Sequence, residues 1–205
     1  LNITDNLELA GNVWKPILEY AESLNVKIAI ENCPMLFTED EWPGGKNIAV
    51  SPAIWRELFK RLPSEYLGLN FDPSHFIWQE MDYIRPLYEF KDKIFHVHYK
   101  DIRVDKEARN EVGVLATPLS YMVPCIPGHG DVNWARYISA LLEIGYQGAA
   151  CIEVEDRAFE GSREKVEDKS FEDNNENIEN SLKISRQYLK QFIHFPEKGR
   201  QYAKD

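Results

Sequence analysis

Lys93-Ile-Phe-His-Val-His98-Tyr-Lys100-Asp101 reads as a short strand with chemistry at its end. Ile94, Phe95 and Val97 are β-branched or aromatic, the types that fit a pleated, half-buried surface. A side-chain period of two sends His96 and His98 to the same side. His98 lies nearer the carboxyl end and is the better ligand, while His96, one layer deeper, reads as a hydrogen-bonded support. The same design recurs in both directions along the chain. Val26-Lys-Ile-Ala-Ile-Glu31, Tyr66-Leu-Gly-Leu-Asn-Phe-Asp72 and Ala149-Ala-Cys-Ile-Glu153 are strand-sized apolar runs, each ending in a carboxylate.

A helical pattern precedes each strand. Val13, Ile17, Leu18, Ala21 and Leu24 fall three and four apart over Asn12 to Leu24. Pro16 places the start of that helix close to itself, because proline is tolerated in a first turn, and Asn25 ends it. Ser51-Pro52 opens a second helix through Leu62 with Ile54, Leu58 and Phe59 inward; Ile84, Leu87 and Tyr88 mark a third; Asp131-Val-Asn-Trp caps a fourth through Leu142. Ile102 to Pro127 shows little periodicity and reads as a long connection over something functional. From Glu153 to Glu179 the sequence has 11 Asp/Glu against 4 Lys/Arg, which reads as a solvated loop. Ile178, Leu182, Ser185, Leu189 and Phe192 line one side of a last helix. Four helix-then-strand units predict an α/β fold built on a parallel sheet, buried on both faces.

Composition removes several function classes. At 205 residues, with 43% hydrophobic and 28% charged, the chain suits one folded domain, expected to run over 1–205. Lys+Arg 24 against Asp+Glu 34 gives a formal net charge of −10 and no basic patch, so neither nucleic acid nor an anionic bilayer is an expected partner. No apolar run approaches the ~20 residues of a membrane span. Cys33, Cys125 and Cys151 are too scattered for a disulfide framework and fit packed thiols in a reducing, cytoplasmic setting. The chain opens at Leu1 with no visible targeting peptide, consistent with part of a longer protein.

In a parallel sheet the carboxyl ends of the strands lie on one rim, so Glu31, Asp72, His98 and Glu153 converge despite gaps of 41, 26 and 55 residues. Three hard oxygen donors and one imidazole suit a divalent cation such as Mn²⁺, Mg²⁺, Co²⁺ or Zn²⁺ with open positions, and not a closed structural zinc site. His75, three residues past Asp72, is placed to touch metal or substrate. His129, between two glycines in Pro127-Gly-His-Gly-Asp131, suits a tight approach to a ligand or a surface turn. Lys100 either anchors a hydroxyl-rich or anionic substrate or neutralises Asp101.

The ordered motifs Ile-Glu31-Asn, Phe-Asp72-Pro-Ser-His75, Val-His98-Tyr-Lys100-Asp101, Pro127-Gly-His-Gly-Asp131 and Ile-Glu153-Val-Glu-Asp resemble the xylose-isomerase-like sugar isomerase/epimerase superfamily, a group of TIM barrels. The resemblance runs from about Val26 to Arg157 and matches the second half of that pattern, four strands where such barrels have eight. It implies one divalent cation, often manganese, on Glu31, Asp72, His98 and Glu153, with Glu31 and Glu153 doubling as acid/base groups. It further implies that His75 and a basic residue, Lys100 or Arg103, hold oxygens of a sugar or sugar-phosphate substrate. Epimerisation, isomerisation and dehydration all fit; a homo-oligomer is compatible. Two rivals remain. A three-zinc DNA-repair endonuclease on the same scaffold would need an Asp-x-His pair, which Leu119 to Pro127 lacks, and a non-catalytic barrel would keep these residues only as a polar rim.

Overall fold

The computed structural model describes residues 2–34, 46–156 and 171–193. Its main sheet has four strands, β1 (Ile28–Glu31), β2 (Leu67–Phe71), β3 (Ile94–Tyr99) and β6 (Ala149–Ile152), in the order β1-β2-β3-β6 with every pair parallel. Around it lie α1 (Ile3–Ser23), α2 (Pro52–Arg61), the short α3 (Ser74–Ile77) and α4 (Arg85–Glu89), α6 (Trp134–Glu143) and α7 (Phe171–Leu189). The strands are neighbours in chain order, as alternating helix and strand units require.

The helix-facing side of the sheet is the core. Leu67, Leu69, Phe71 and Val97 are buried there against Trp55 and Leu58 of α2, Phe76 of α3 and Tyr137 and Ile138 of α6. Trp55 stands edge-on to Phe71, Phe76 and Phe90 and donates its indole N–H to the Ala49 carbonyl at 2.7 Å, so the largest side chain of the core is also hydrogen-bonded. The register slips between Leu69 and Asn70, where Leu69 pairs Ile94 but Asn70 pairs His96. Gly68 accommodates this slip, since a Cβ there would sit 2.6 Å from the Phe95 ring and 2.4 Å from the Lys93 carbonyl oxygen.

Several expectations are corrected. Helix α1 begins at Ile3, capped by the Asn2 side chain accepting from Asp5 N at 3.0 Å, and carries Pro16 in its interior. Exposure explains the tolerance, because the missing backbone bond faces water rather than the core. Of the apolar face read from spacing, Leu18 and Ala21 are buried while Val13, Ile17 and Leu24 are exposed. The strand begins at Ile28, Val26 being exposed after Asn25 takes the left-handed conformation that ends the helix. The long connection Ile102 to Pro127 is structured. It contains β4 (Asp101–Val104) and β5 (Met122–Cys125) in an antiparallel pair, with α5 (Lys106–Val112) between them. Four-residue strands are too short to show a period, and Pro124 in β5 hides the second one. Cys33 and Cys125 are buried, but Cys151 is exposed. Of the acidic stretch read as a solvated loop, residues 157–170 lie outside the described residues, and Phe171 to Glu179 form the first part of helix α7 instead of a loop.

Candidate metal centre

Each strand delivers one group to the rim, and each strand end is pinned by its own hydrogen bonds. Asn32 clamps β1 to β2: its Nδ2 donates to the Asp72 carbonyl at 2.9 Å and its Oδ1 accepts from Asp72 N at 2.8 Å. Asn47 donates to the carbonyls of Glu31 and Cys33, both at 2.8 Å, fixing the turn after Glu31. Asp72 is fully buried, and its Oδ1 accepts from Ser74 N at 2.8 Å, which leaves Oδ2 directed at the cluster.

Glu31, Asp72, His98 and Glu153 each offer one ligand atom, and those four atoms lie within 4.8 Å of one another. His98 turns Nδ1 inward, 3.1 Å from Glu31 Oε1 and 2.8 Å from Glu153 Oε2. Two carboxylate oxygens here, Asp72 Oδ2 and Glu153 Oε2, are buried and receive no hydrogen bond of acceptable geometry. A buried, unsatisfied anionic oxygen is costly, and two aimed at one point beside a third carboxylate and an imidazole fit a divalent cation. Lys100 brings positive charge to the same place. Its Nζ is 3.1 Å from Asp72 Oδ2, 3.2 Å from Glu153 Oε2 and 3.3 Å from Glu155 Oε2, and the residue is 3% exposed.

The titrating groups have shifted to suit each other. Burial raises the Glu31 carboxyl, but hydrogen bonds from His75 and His98 and the Lys100 charge outweigh it and hold the group well below the usual carboxylate range. Glu153 moves in the same direction, through His98 and Lys100 acting against its own burial. Desolvation disfavours a charged His98, yet the two glutamates prevail and push it up to about 10. His75 is likewise lifted to about 9, its burial opposed by Asp72 first and Glu31 after.

The sequence-predicted residues divide by location. His75, on α3, is buried, its Nε2 3.4 Å from Lys100 Nζ, 3.5 Å from Asp72 Oδ2 and 3.7 Å from Glu31 Oε1. Lys100 faces the cluster and not Asp101. The Asp101 carboxylate accepts instead from the N–H groups of Ile102, Gly128, Val132 and the Trp134 indole, and so holds the turn that carries His129. His129 itself is exposed, and Arg103 is exposed on β4; neither is among the residues brought together at the rim. Reasoning from strand ends missed Asn32, Asn70, Glu155 and the lumen position of Cys151. Period two could have found Asn70 and Cys151, which stand two residues before Asp72 and Glu153.

Comparison with known proteins agrees with this architecture. The sequence model of the xylose isomerase-like TIM barrel matches residues 2–188. The uncharacterized protein YfiH of Bacillus subtilis (strain 168) is 31% identical over 161 residues, covering 73% of this chain and 47% of YfiH. Inosose dehydratase of Lactiplantibacillus plantarum is 30% identical over 91 residues, 43% of this chain and 30% of that protein. Among solved structures, the IolI protein with a bound zinc atom superposes with a TM-score of 0.59 at 19% identity, covering 92% of this chain and 58% of that one. The chain thus spans about half, or less, of the length of these proteins. Four parallel strands, a rim of carboxylates and imidazole at their carboxyl ends, and a family match over most of the sequence place the chain in the xylose isomerase-like TIM barrel family.

Proposed function

We propose that this rim is the active centre of a divalent-cation-dependent enzyme that removes a proton next to the carbonyl of a sugar, sugar phosphate or keto-polyol and returns it, as an epimerase or isomerase does. The observation that carries the reading is the convergence of four ligand atoms, from three carboxylates and one imidazole, within 4.8 Å of one another at one strand-end rim. Glu31, Asp72, His98 and Glu153 are the proposed ligands and manganese the proposed cation, with magnesium, cobalt or zinc compatible with the same donors. Such a cation polarises a bound carbonyl and its neighbouring hydroxyl and so acidifies the C–H between them.

The chain's own residues do the rest. Glu31 comes from β1 and Glu153 from β6, the two outer strands of the sheet, so their carboxylates approach a substrate from opposite sides. One carboxylate accepts the proton while the other, having taken a proton from solvent, delivers it to the opposite face, which inverts a carbon; return of a proton to the adjacent carbon isomerises instead. His75 and Lys100, both buried beside the cluster, hold substrate oxygens, and Arg103 and His129 are proposed to reach it only if the turn and β4 close over a ligand. In this reading residues 1–205 are one unit answering to the C-terminal half of a family barrel, the first half shaping the pocket, in a cytoplasmic enzyme that acts as a monomer or homo-oligomer.

A second reading is dehydration of a keto-polyol. The likeness to inosose dehydratase favours it, and His75 and Lys100, whose Nε2 and Nζ stand 3.4 Å apart beside the cluster, are the groups proposed to give a proton to a leaving hydroxyl. Both readings share the first step. Incubation of the complete protein with keto-sugars and an inosose in deuterated water, with manganese, tests it: deuterium appears at the carbon next to the carbonyl, and falls ~10²–10⁴-fold in Glu153→Gln. Exchange unchanged in Glu31→Gln and Glu153→Gln alike rejects the two-carboxylate mechanism.

A further inference from the structure

Behind the cluster a chain of polar side chains runs down the lumen-facing side of the sheet. Asn70 stands between two imidazoles: its amide nitrogen is 2.9 Å from His98 Nε2 and its amide oxygen 2.8 Å from His96 Nδ1. His96 Nε2 in turn lies 3.3 Å from Cys151 Sγ. The register slip at Asn70 creates this arrangement, by setting Asn70 opposite His96 while His98 pairs with Cys151.

The protons on this chain are not independent. In the orientation given, the amide nitrogen faces His98 Nε2 and the amide oxygen faces His96 Nδ1. A cation at the cluster needs the Nδ1 lone pair. The proton must then sit on Nε2, where only an acceptor can face it. A half-turn of the amide supplies that acceptor without moving a heavy atom appreciably, because amide oxygen and nitrogen are nearly equal in size. The amide N–H₂ then donates to His96 Nδ1, and His96 Nε2–H donates to Cys151 Sγ.

We propose that Asn70 is a positioning residue of the metal centre: its amide, held between His98 Nε2 and His96 Nδ1, presents its oxygen to His98 Nε2–H and so fixes Nδ1 as the ligand atom for a cation at the cluster. This rests on the metal-centre reading above. Asn70 touches neither cation nor substrate; it acts through His98, as partners of metal-bound histidines do generally, and loss of such a partner costs ~10–100-fold in metal affinity.

The test is zinc titration of the 205-residue protein by calorimetry, with long-range ¹H–¹⁵N spectra of ¹⁵N-histidine-labelled protein. Wild type should bind one zinc, with His98 protonated on Nε2 and His96 on Nε2. Asn70→Leu, which offers no acceptor, should bind ~10–100-fold more weakly, while Asn70→Asp, which can only accept from His98, should bind at least as tightly as wild type. Asn70→Leu within threefold of wild type, Asn70→Asp more than threefold weaker, or a zinc-loaded His98 protonated on Nδ1 overturns the proposal and leaves the metal centre standing. Absence of zinc binding by wild type overturns both. Should Asn70→Leu fail to fold, the Asn70→Asp arm and the wild-type spectra still decide.

Discussion

In the cation-free protein His98 and Glu31 stabilise each other, and the pH at which that stabilisation is lost follows from the direction of each shift. The folded state raises His98 from 6.5 to about 10, so its contribution is complete below about 6.5 and disappears as pH rises toward about 10. Glu31 and Glu153 are lowered from 4.5, so theirs is present above about 4.5 and lost as pH falls. Thermal unfolding in chelator should therefore show greatest stability between roughly pH 4.5 and 6.5, falling on the alkaline side. Cation binding has the opposite trend there, since His98 must release a proton: apparent affinity should climb about tenfold per pH unit from about pH 6 to 9. A calorimetric affinity flat over that range would mean that His98 is not a ligand. Lys100 supplies a second residue-scale expectation. Replacing it by methionine leaves Asp72 and Glu153 buried without their cationic neighbour, which should cost about 3–5 kcal/mol in urea unfolding with chelator, most of it regained on adding manganese. The ligand set was legible because each member ends a strand. Asn70 was passed over although it stands two residues before Asp72 on the same face, because its role shows only once its two histidine neighbours are seen.

Among the elements, the turn Pro127–Asp131 is tied to β4 through the Asp101 carboxylate and through Asp131, whose N–H donates to the Ile102 carbonyl at 2.7 Å and whose Oδ2 accepts from Val104 N at 2.8 Å. Asp101 accepts from three backbone N–H groups and the Trp134 indole, and burial raises its own carboxyl against those four donors. Gly130 fits because a Cβ there would stand 2.3 Å from Asp101 Oδ1 and 2.4 Å from the Ile102 carbonyl oxygen. Asp101→Leu, stranding four donors, should destabilise by at least ~3 kcal/mol, whereas Trp134→Phe removes one donor and should cost less. Equal midpoints in urea for Asp101→Leu and wild type would contradict this account of the turn. Alternation with helices made the four sheet strands legible, whereas β4 and β5 were not. A two-stranded antiparallel pair of four residues per strand, interrupted by Pro124, has no periodicity to read. Helix α1 differs in its start: Pro16 reads as a first-turn proline, but it lies exposed in the interior of a helix that begins at Ile3.

At the scale of the whole molecule, β1 and β6 each have a sheet neighbour on one side only among the described residues. Unpaired parallel edges, the exposed Val13, Ile17 and Tyr20 of α1 and the exposed Leu24 after it invite association. Sedimentation velocity of the 205-residue chain should show self-association growing with concentration and reduced in Val13→Lys/Ile17→Lys; a single monomeric species up to high concentration would contradict it. The net charge of −10 opposes association but is spread over the surface, so salt should strengthen it. Among the described residues no helix is long and apolar enough to cross a membrane. The central claim is that four neighbouring strands bring one cation site to one rim. Anomalous diffraction at the manganese edge, from crystals of the protein soaked in manganese, tests it most directly. The account predicts one strong peak at ~2.0–2.3 Å from oxygens of Glu31, Asp72 and Glu153 and from Nδ1 of His98; no peak there, or occupancy only at surface carboxylates, would contradict it.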